Sequence, residues 1–240
     1  MSGALEGQLV VVLGGSAGIG LETARSARAQ GAEAILTGRN ASRLDQAAAD
    51  VGARSTAAFD VSDPAALGEF FEGLPGPVDH VMVTAGGPSY APLAEMTPQD
   101  VRDALSDHLA LGLEVARHVP AHVRPGGSII LMSGTGGRSP RASSTVAAVT
   151  AATPALTRSL AVELAPVRVN AIAPGFVDTP LSARLLGDDL DSRRDELRRT
   201  LPIRRVVGPA DIAALAVHLM TNTALTGATY DIDGGQQLVE

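Results

Sequence analysis

Short apolar runs alternate with helix-length stretches along most of this chain, and this alternation limits its possible folds more than any other sequence feature. The runs before residue 175 are almost entirely Val, Ile, Leu and Ala, as in strands buried on both faces of a sheet. Strands are predicted at residues 8–14, 32–38, 54–60, 79–86, 127–134, 167–175 and 227–233. A βαβ series without a linker predicts one α/β domain over residues 1–240, with a doubly wound parallel sheet of about seven strands and helices on both faces.

The composition agrees with this fold and excludes several classes of partner. Hydrophobic residues make up 45% of the chain and aromatic residues only 2%, so the core must be aliphatic. The formal net charge is −7 and there is no basic block, which argues against nucleic acid or an anionic membrane as the main partner. Without cysteine there is no disulfide, thiolate nucleophile or Cys-type zinc site. The first residues lack a basic n-region and a long apolar run, so we expect a soluble cytoplasmic protein.

Two glycines mark the ends of predicted helices, and one polar segment interrupts the βαβ pattern. Gly31 and Gly52 follow the first two helical patterns in the position of C-terminal caps. The segment 181–205 is long and rich in charge, and it precedes the last helix and strand. It is interpreted either as a solvated helical excursion or as a mobile lid over the site.

The first predicted strand ends in "LGGSAGIG", where Gly14, Gly18 and Gly20 form a G-x-x-x-G-x-G pattern. Glycine lets the backbone turn sharply and approach a pyrophosphate, which then lies at the helix N-terminus. A glycine triplet alone is a weak signal, but this one follows a strand and opens a helix at the start of a βαβ series. The pattern therefore favours a nucleotide site.

The glycine spacing resembles that of the short-chain dehydrogenase/reductase family, and three further segments agree. "LAVELAPVRVNAIAPGFVDTPL" (160–181) is similar to the stretch leading into the family's P-G motif, and "YDIDGGQQL" (230–238) to its C-terminal D-G-G. "FDVSD" (59–63) resembles the segment in which the family's Asp contacts adenine. The resemblance spans essentially the whole chain and implies a Rossmann-like fold, a nicotinamide cofactor, a small-molecule substrate and a homo-oligomer.

The resemblance also implies which residues would hold the cofactor. The pyrophosphate would be lined by Gly14, Ser16, Gly18, Ile19 and Gly20, and the adenine would be flanked by Asp60 and Val61. Ala85 and Gly86 would pass beneath the adenosine ribose. The nicotinamide end would be held by Pro174, Gly175, Val177 and Thr179.

The residues after the second strand bear on the choice of cofactor. An NAD-specific member would carry an acidic residue near Gly38, but this chain has "TGRN", with Arg39 next and Arg43 one turn further on. A guanidinium suits a 2′-phosphate through paired, charge-assisted hydrogen bonds. The alternative is a surface arginine in a turn. The pattern favours NADP(H).

The resemblance fails at the catalytic positions. The family's motif is Tyr-x-x-x-Lys, in which the lysine lowers the tyrosine pKa, but alignment on "LTRSLAVELAP" places Val146 and Thr150 there. Neither side chain can act as a general acid. His108 stands at the helix asparagine, and "VTAG" (83–86) replaces Asn-Asn-Ala-Gly.

A serine alone of the usual catalytic four remains, within "LMSGTGG". Ser133 is the nearest candidate, although the alignment could equally place Gly134 at the serine site, with Thr135 close by. Two other residues could supply a proton. His108 titrates nearest neutrality, and Tyr90 follows the fourth strand at the edge where ligands bind. The alternatives are a hydrogen-bonded helix or interface histidine and a partly exposed loop tyrosine.

Two prolines, Pro120 and Pro154, lie in segments that are predicted to be helical. Pro154 predicts either a proline inside a helix, which cannot donate to the Thr150 carbonyl, or a helix that begins there with Thr153 as its cap. Either alternative predicts a distorted wall over residues 146–153. Val146 and Val149 in that wall hint at a nonpolar ligand. Pro120 lies between His118 and His122, and no metal site is expected there.

Two functions follow as hypotheses. The first is an NADP(H)-dependent oxidoreductase that acts on a small, nonpolar carbonyl or alcohol and obtains its proton from Ser133, His108, Tyr90 or the substrate itself. The second is a catalytically silent or non-redox relative that uses the nucleotide pocket for binding or regulation. In either case the Ala-rich helices over about 98–122 and 144–164 suit packing between subunits, as a homotetramer or dimer.

Overall fold

The computed structural model describes residues 3–87, 90–139 and 142–239, with only the backbone of Ser106. Strands and helices alternate as the sequence predicts. The strands are β1 (Leu9–Leu13), β2 (Glu33–Gly38), β3 (Ser55–Ala58), β4 (Val78–Val83), β5 (Val123–Met132), β6 (Arg168–Pro174) and β7 (Thr229–Ile232). The helices are α1 (Gly18–Ala29), α2 (Ala41–Val51), α3 (Pro64–Glu72), α4 (Pro98–His122), α5 (Ser144–Glu163), α6 (Pro180–Leu186), α7 (Leu190–Thr200) and α8 (Pro209–Thr221).

The seven strands form one parallel sheet in the order β3-β2-β1-β4-β5-β6-β7. The predicted doubly wound α/β fold is therefore confirmed. The chain order reverses between β1 and β4, which creates the crevice at the carboxyl ends of the strands where ligands of such sheets bind.

Alternate residues of the central strands face opposite layers of helices. Val11 and Leu13 of β1 pack with side chains of α3, α4 and α5, whereas Val10 and Val12 pack with side chains of α1, α2 and α8. Both faces of the sheet are thus covered, which explains why the strands read as continuous aliphatic runs. None of the helices in the described part of the chain combines the length and apolar character needed to cross a bilayer.

Helix α5 continues through Pro154. The first alternative, a proline inside the helix, is therefore confirmed, and the second, a new helix with Thr153 as its cap, is wrong. Val149, Thr153 and Thr157 lie on the buried face of α5, so packing against the sheet holds the helix together on both sides of the proline. The Thr153 hydroxyl donates to the Val149 carbonyl at 2.8 Å inside the helix and caps nothing.

The segment 181–205 contains most of α6 and all of α7, and an ion pair links it to the residues that follow β6. Arg194 of α7 donates two hydrogen bonds, of 2.9 and 2.7 Å, to the carboxylate of Asp178, which lies just after β6. Gly187, with φ of 51°, lies between α6 and α7. The segment is helical, as one of its two interpretations requires.

Candidate functional site

The loop between β1 and α1 is closed so tightly that two of its glycines leave no room for a side chain. A Cβ on Gly20 would lie 2.3 Å from the Gly14 carbonyl oxygen, and one on Gly14 would lie 2.7 Å from the Ala85 nitrogen. Gly14 also has φ of 96°, a backbone region that favours glycine. Backbone rather than side chains therefore forms this surface, as the sequence predicts.

The N-terminus of α1 opens onto the same loop without a side-chain cap. Ala17 occupies the N-cap position, no side chain bonds the first N–H groups, and the first turn has no acidic residue. Unpaired N–H groups and the positive end of the helix dipole attract an anion. The loop and the helix together fit the pyrophosphate of a dinucleotide.

Thr84 joins the end of β4 to the glycine loop, a role that the sequence analysis missed. Its hydroxyl contacts the carbonyl oxygens of Leu13 at 3.0 Å and Gly14 at 3.1 Å. The backbone N–H groups of Thr84 and Ala85 also donate to the Leu13 carbonyl. Thr84 was noted only as a replacement for asparagine, and its position directly after a strand beside β1 was the available signal.

The end of β2 carries the residues that bear on a 2′-phosphate. A Cβ on Gly38 would lie 3.2 Å from the Ser16 hydroxyl, so a longer acidic side chain would be crowded there. Arg39 is exposed and has no hydrogen bond or ion pair within the described part of the chain. The pKa of Asp60 is lowered, chiefly by the hydrogen bond from the Ser62 hydroxyl and to a lesser extent by the charge of Arg39. Arg39 therefore lies near the adenine position with its donors unused.

The predicted adenine and ribose residues lie at the ends of β3 and β4. Asp60 accepts hydrogen bonds from the Ser62 N–H at 3.0 Å and the Ser62 hydroxyl at 2.7 Å, which fixes its carboxylate. Val61 is buried, and Gly86 approaches helix α4, where a Cβ would lie 3.2 Å from the Asp107 carbonyl oxygen.

The predicted nicotinamide residues follow β6. A Cβ on Gly175 would lie 2.6 Å from Gln236 Oε1, and that oxygen also accepts the Phe176 N–H at 2.8 Å. Thr179 caps α6, and its hydroxyl accepts the N–H of Ser182 at 3.2 Å.

The predicted nicotinamide residues lie next to the predicted pyrophosphate loop. Thr179 lies beside the glycine loop, 3.6 Å from where a Cβ on Gly18 would be. The structure thus gathers the predicted cofactor residues along one edge of the sheet.

Comparison with known proteins identifies the family. A family model described as Enoyl-(Acyl carrier protein) reductase matches residues 14–237. An uncharacterized oxidoreductase of Mycobacterium tuberculosis is 35% identical over 246 residues, covering 96% of this chain and 92% of the relative. The chain is a short-chain dehydrogenase/reductase.

Solved structures of the family agree with this assignment. A short-chain dehydrogenase/reductase described as a glucose/ribitol dehydrogenase, from Brucella melitensis, superposes with a TM-score of 0.86 at 29% identity and covers 98% of each chain. A small-chain dehydrogenase in complex with NADPH superposes with a TM-score of 0.81 at 30% identity, covering 96% of this chain and 99% of the other.

The two positions aligned with the family's tyrosine and lysine lie on the buried face of α5. Val146 is 9% exposed and Thr150 is 5% exposed. The Thr150 hydroxyl donates to the Val146 carbonyl at 2.7 Å and so bonds its own helix. Neither residue presents an acidic proton.

Ser133 lies just past β5 and is bonded to both neighbouring elements. Its N–H donates to the Ile172 carbonyl of β6 at 2.8 Å, and its hydroxyl donates to the Thr150 carbonyl of α5 at 3.3 Å. The usual helical donor to that carbonyl would be the N–H of residue 154, which proline lacks. The Ser133 hydroxyl therefore takes the place of the missing helical donor.

Gly134 and Thr135, the neighbouring candidates for the serine position, differ from Ser133. A Cβ on Gly134 would lie 3.1 Å from Thr150 Cγ2. Thr135 donates its N–H to the Pro174 carbonyl at 3.1 Å and lines the adjacent cleft. Its hydroxyl has no hydrogen-bond partner among residues 3–87, 90–139 and 142–239.

His108 and Tyr90, the other candidate donors, lie in different settings. His108 Nε2 is 2.9 Å from the Met132 carbonyl oxygen, which can only accept, so Nε2 carries the proton. Burial lowers the pKa of His108, and the bond to Met132 opposes this in part, so the ring is neutral near pH 7. Tyr90 is 51% exposed on the loop after β4. The structure therefore brings His108 to the end of β5 beside Ser133 and leaves Tyr90 at the surface.

A cleft of about 420 Å³ lies between the loop after β5, helix α7 and the C-terminal segment. This volume is in the range of small-molecule sites. Polar side chains line much of it, among them Thr135, Glu196 and Thr200, next to Leu197 and Leu201.

The nonpolar wall expected at Val146 and Val149 is not part of this cleft. Val149 is fully buried in the core and neither residue lines the cleft, because the helix turns both valines toward packed neighbours.

The remaining histidines on α4 serve packing. His118 stacks on Phe71 of α3 with ring centroids 4.8 Å apart, and His122 tilts against the same ring. The residues that the structure describes contain no group of three or more side chains placed to hold a metal ion.

Proposed function

We propose that this chain is an NADP(H)-dependent oxidoreductase that acts on a small molecule bound in the cleft beside Thr135. The observation that carries the proposal is the glycine loop, which closes on its own backbone at Gly14 and Gly20 and opens onto the uncapped N-terminus of α1. A bound nicotinamide cofactor would supply or accept a hydride at this site.

Each group of predicted residues along this edge of the sheet is assigned one part of the cofactor or the substrate. The glycine loop and the N-terminus of α1 bind the pyrophosphate, and Asp60 with Val61 and Gly86 bind the adenosine. Residues 174–179 hold the nicotinamide end beside the cleft. The helical segment 181–205 acts as a lid, a role supported by the position of α7 residues such as Leu197 in the cleft lining.

A second function, nucleotide binding without redox chemistry, is favoured by one observation. At the four positions that align with the family's catalytic residues, this chain has His108, Ser133, Val146 and Thr150, and none of them offers an acidic proton near neutrality. The two functions are separated by measuring NADPH binding by calorimetry and NADPH oxidation against carbonyl, quinone and imine compounds. Binding without oxidation of NADPH by any compound would favour the second function.

Arg39→Ala is expected to remove the preference for NADPH over NADH. A charge-assisted bidentate contact with the 2′-phosphate contributes about 1.5–3 kcal/mol, on the order of tenfold to a hundredfold in affinity. Calorimetry with both cofactors measures it, and Arg117→Ala, a change of an exposed arginine on α4, serves as the control. Equal affinities of the wild-type protein for the two cofactors would refute the assignment.

The chain is expected to form a homotetramer or at least a homodimer through α4 and α5. Leu113 on α4 is 47% exposed and Val162 on α5 is 78% exposed, and a second copy would cover such side chains. Light scattering at micromolar concentration measures the assembly. Leu113→Glu should reduce the mass of the assembly, whereas Leu238→Glu, at a leucine outside these helices that is 82% exposed, should not. A single monomeric species in the wild type would contradict the prediction.

A further inference from the structure

The polar groups at the reaction site direct their hydrogens toward backbone carbonyls. The Ser133 hydroxyl donates to the Thr150 carbonyl at 3.3 Å, and His108 Nε2 donates to the Met132 carbonyl at 2.9 Å. The Thr150 hydroxyl donates to the Val146 carbonyl. A ketone oxygen needs donors as charge develops on it, and finally a proton. Because these hydrogens are already bonded to backbone carbonyls, the three groups do not offer them to a ketone oxygen.

The same positions also carry no charge. Val146 and Thr150 are neutral side chains, and burial lowers the pKa of His108 so that its ring is neutral near pH 7. No cation at these positions would stabilise a developing alkoxide. By the same argument, none of them repels a positively charged substrate.

Thr135 is the hydroxyl that remains available in the cleft. It lines the cleft and has no hydrogen-bond partner in the described part of the chain. A threonine hydroxyl can accept or donate a hydrogen bond, but it does not release its proton near neutrality. Thr135 can therefore orient a substrate without completing the reduction of a ketone.

We propose, on the basis of the oxidoreductase function above, that the hydride acceptor is the protonated form of a small imine. A hydride adds to the imine carbon, and the C=N π pair becomes the lone pair of nitrogen. The nicotinamide is oxidised, the positive charge passes to it, and the product is a neutral amine that keeps its N–H. This step consumes no proton, so it needs no acid from the protein. The substrate N–H donates to the lone pairs of Ser133 or Thr135.

Pro154 is the positioning residue in this arrangement. Because proline leaves the Thr150 carbonyl without its helical donor, that carbonyl takes the Ser133 hydrogen, and the lone pairs of Ser133 remain for an N–H donor. Alanine at position 154 would restore the helical N–H and free the Ser133 hydrogen for a carbonyl oxygen. The preference between imine and ketone should therefore depend on this residue.

The activity test compares two rings of the same size, 1-pyrroline and cyclopentanone, with NADPH. We expect kcat/KM for the imine to exceed that for the ketone by about 100-fold, the scale of a missing general acid. Above the pKa of the imine itself, kcat/KM should fall about tenfold per pH unit, because only the protonated form reacts. Equal rates for the two rings would overturn the proposal.

A binding test gives a second readout without turnover. With NADP⁺ present, calorimetry should show pyrrolidinium binding more tightly than cyclopentanol, and Ser133→Ala should weaken pyrrolidinium alone. Pro154→Ala should narrow the imine preference by about tenfold without lowering the melting temperature, since it restores a helical hydrogen bond. An unchanged preference in Pro154→Ala would overturn the role of the proline.

The results of these experiments distinguish failure of the imine proposal from failure of the oxidoreductase proposal. If calorimetry detects no binding of NADPH, the oxidoreductase function itself is wrong. If NADPH binds but 1-pyrroline is not reduced and pyrrolidinium does not bind, the imine class is wrong while the cofactor assignment stands.

Discussion

The wild-type protein, saturated with NADPH, is expected to reduce unactivated ketones about 10²–10⁴-fold more slowly than a relative whose tyrosine donates the proton. The reason is the pair of residues that align with the family's tyrosine and lysine, since Val146 is aliphatic and the Thr150 hydroxyl is bonded to its own helix. The measurement is the steady-state rate of NADPH oxidation with a panel of simple ketones at saturating cofactor. Restoring tyrosine at 146 and lysine at 150 is a weaker test, because failure of that double change could reflect misplacement near Pro154.

Brisk reduction of an unactivated ketone would contradict this prediction and show that another residue supplies the proton. His108→Gln and Tyr90→Phe then identify it. Glutamine can retain a hydrogen bond to the Met132 carbonyl but cannot act as an acid, so a fall in kcat in His108→Gln would separate catalysis from structure. Phenylalanine at position 90 removes only a hydroxyl from a side chain that is half exposed.

Gly20→Ala is expected to abolish measurable binding of NADPH, a loss on the order of a hundredfold or more, equivalent to about 2.7 kcal/mol. The new Cβ would lie 2.3 Å from the Gly14 carbonyl oxygen and 2.6 Å from the Thr84 hydroxyl oxygen. Relief requires the loop to move away from β4, which disturbs the surface that approaches the pyrophosphate. Overpacking of this kind also lowers the free energy of unfolding by about 1–3 kcal/mol. Calorimetry with NADPH and chemical denaturation measure the two effects.

Gly87→Ala provides the matched control for Gly20→Ala. Gly87 also lies at the crevice, but a Cβ there would have no atom within 4 Å and its φ is outside the positive region. Cofactor affinity and unfolding free energy should therefore stay near their wild-type values. Wild-type affinity for NADPH in Gly20→Ala would show that the pyrophosphate does not approach this loop.

Most of the sheet could be predicted from the sequence because its five inner strands are largely buried, and a buried parallel strand leaves a continuous aliphatic run. All seven predicted strands occur, although the edge strands β3 and β7 are only partly buried. The start of β5 was missed: it begins at Val123, which pairs with Val78 ahead of a register shift. Residues 125–127, Pro-Gly-Gly, resemble a turn and lie between Val123 and Ser128, the two points where β5 pairs with β4 on either side of the register shift.

The candidate site was predictable where local chemistry decides it. The glycine loop and Arg39 follow from short sequence patterns, whereas the Thr84 contacts join residues about 70 positions apart. The bond from Ser133 to Thr150 likewise depends on how β5 and α5 pack. The sequence left two alternatives for Pro154, because helix propensity describes an isolated segment, whereas the core holds α5 on both sides of the proline. The cytoplasmic location and the single domain over residues 1–240 stay predictions.

The ion pair between Arg194 and Asp178 holds helix α7 of segment 181–205 more firmly than helix α6. It fixes α7 to the end of β6 by two hydrogen bonds, with both side chains only about 30% exposed (28% and 31%), so dissolved salt screens it weakly. Gly187, with positive φ and no atom within 4 Å of a Cβ, joins α7 to α6. The first turn of α6 is held by the Ser182 hydroxyl, which donates to the Val177 carbonyl at 2.8 Å, so motion at this glycine would displace the C-terminal end of α6 while α7 stays in place. The half of the cleft formed by α7 would then keep its shape, and access to the site would be controlled from the other side.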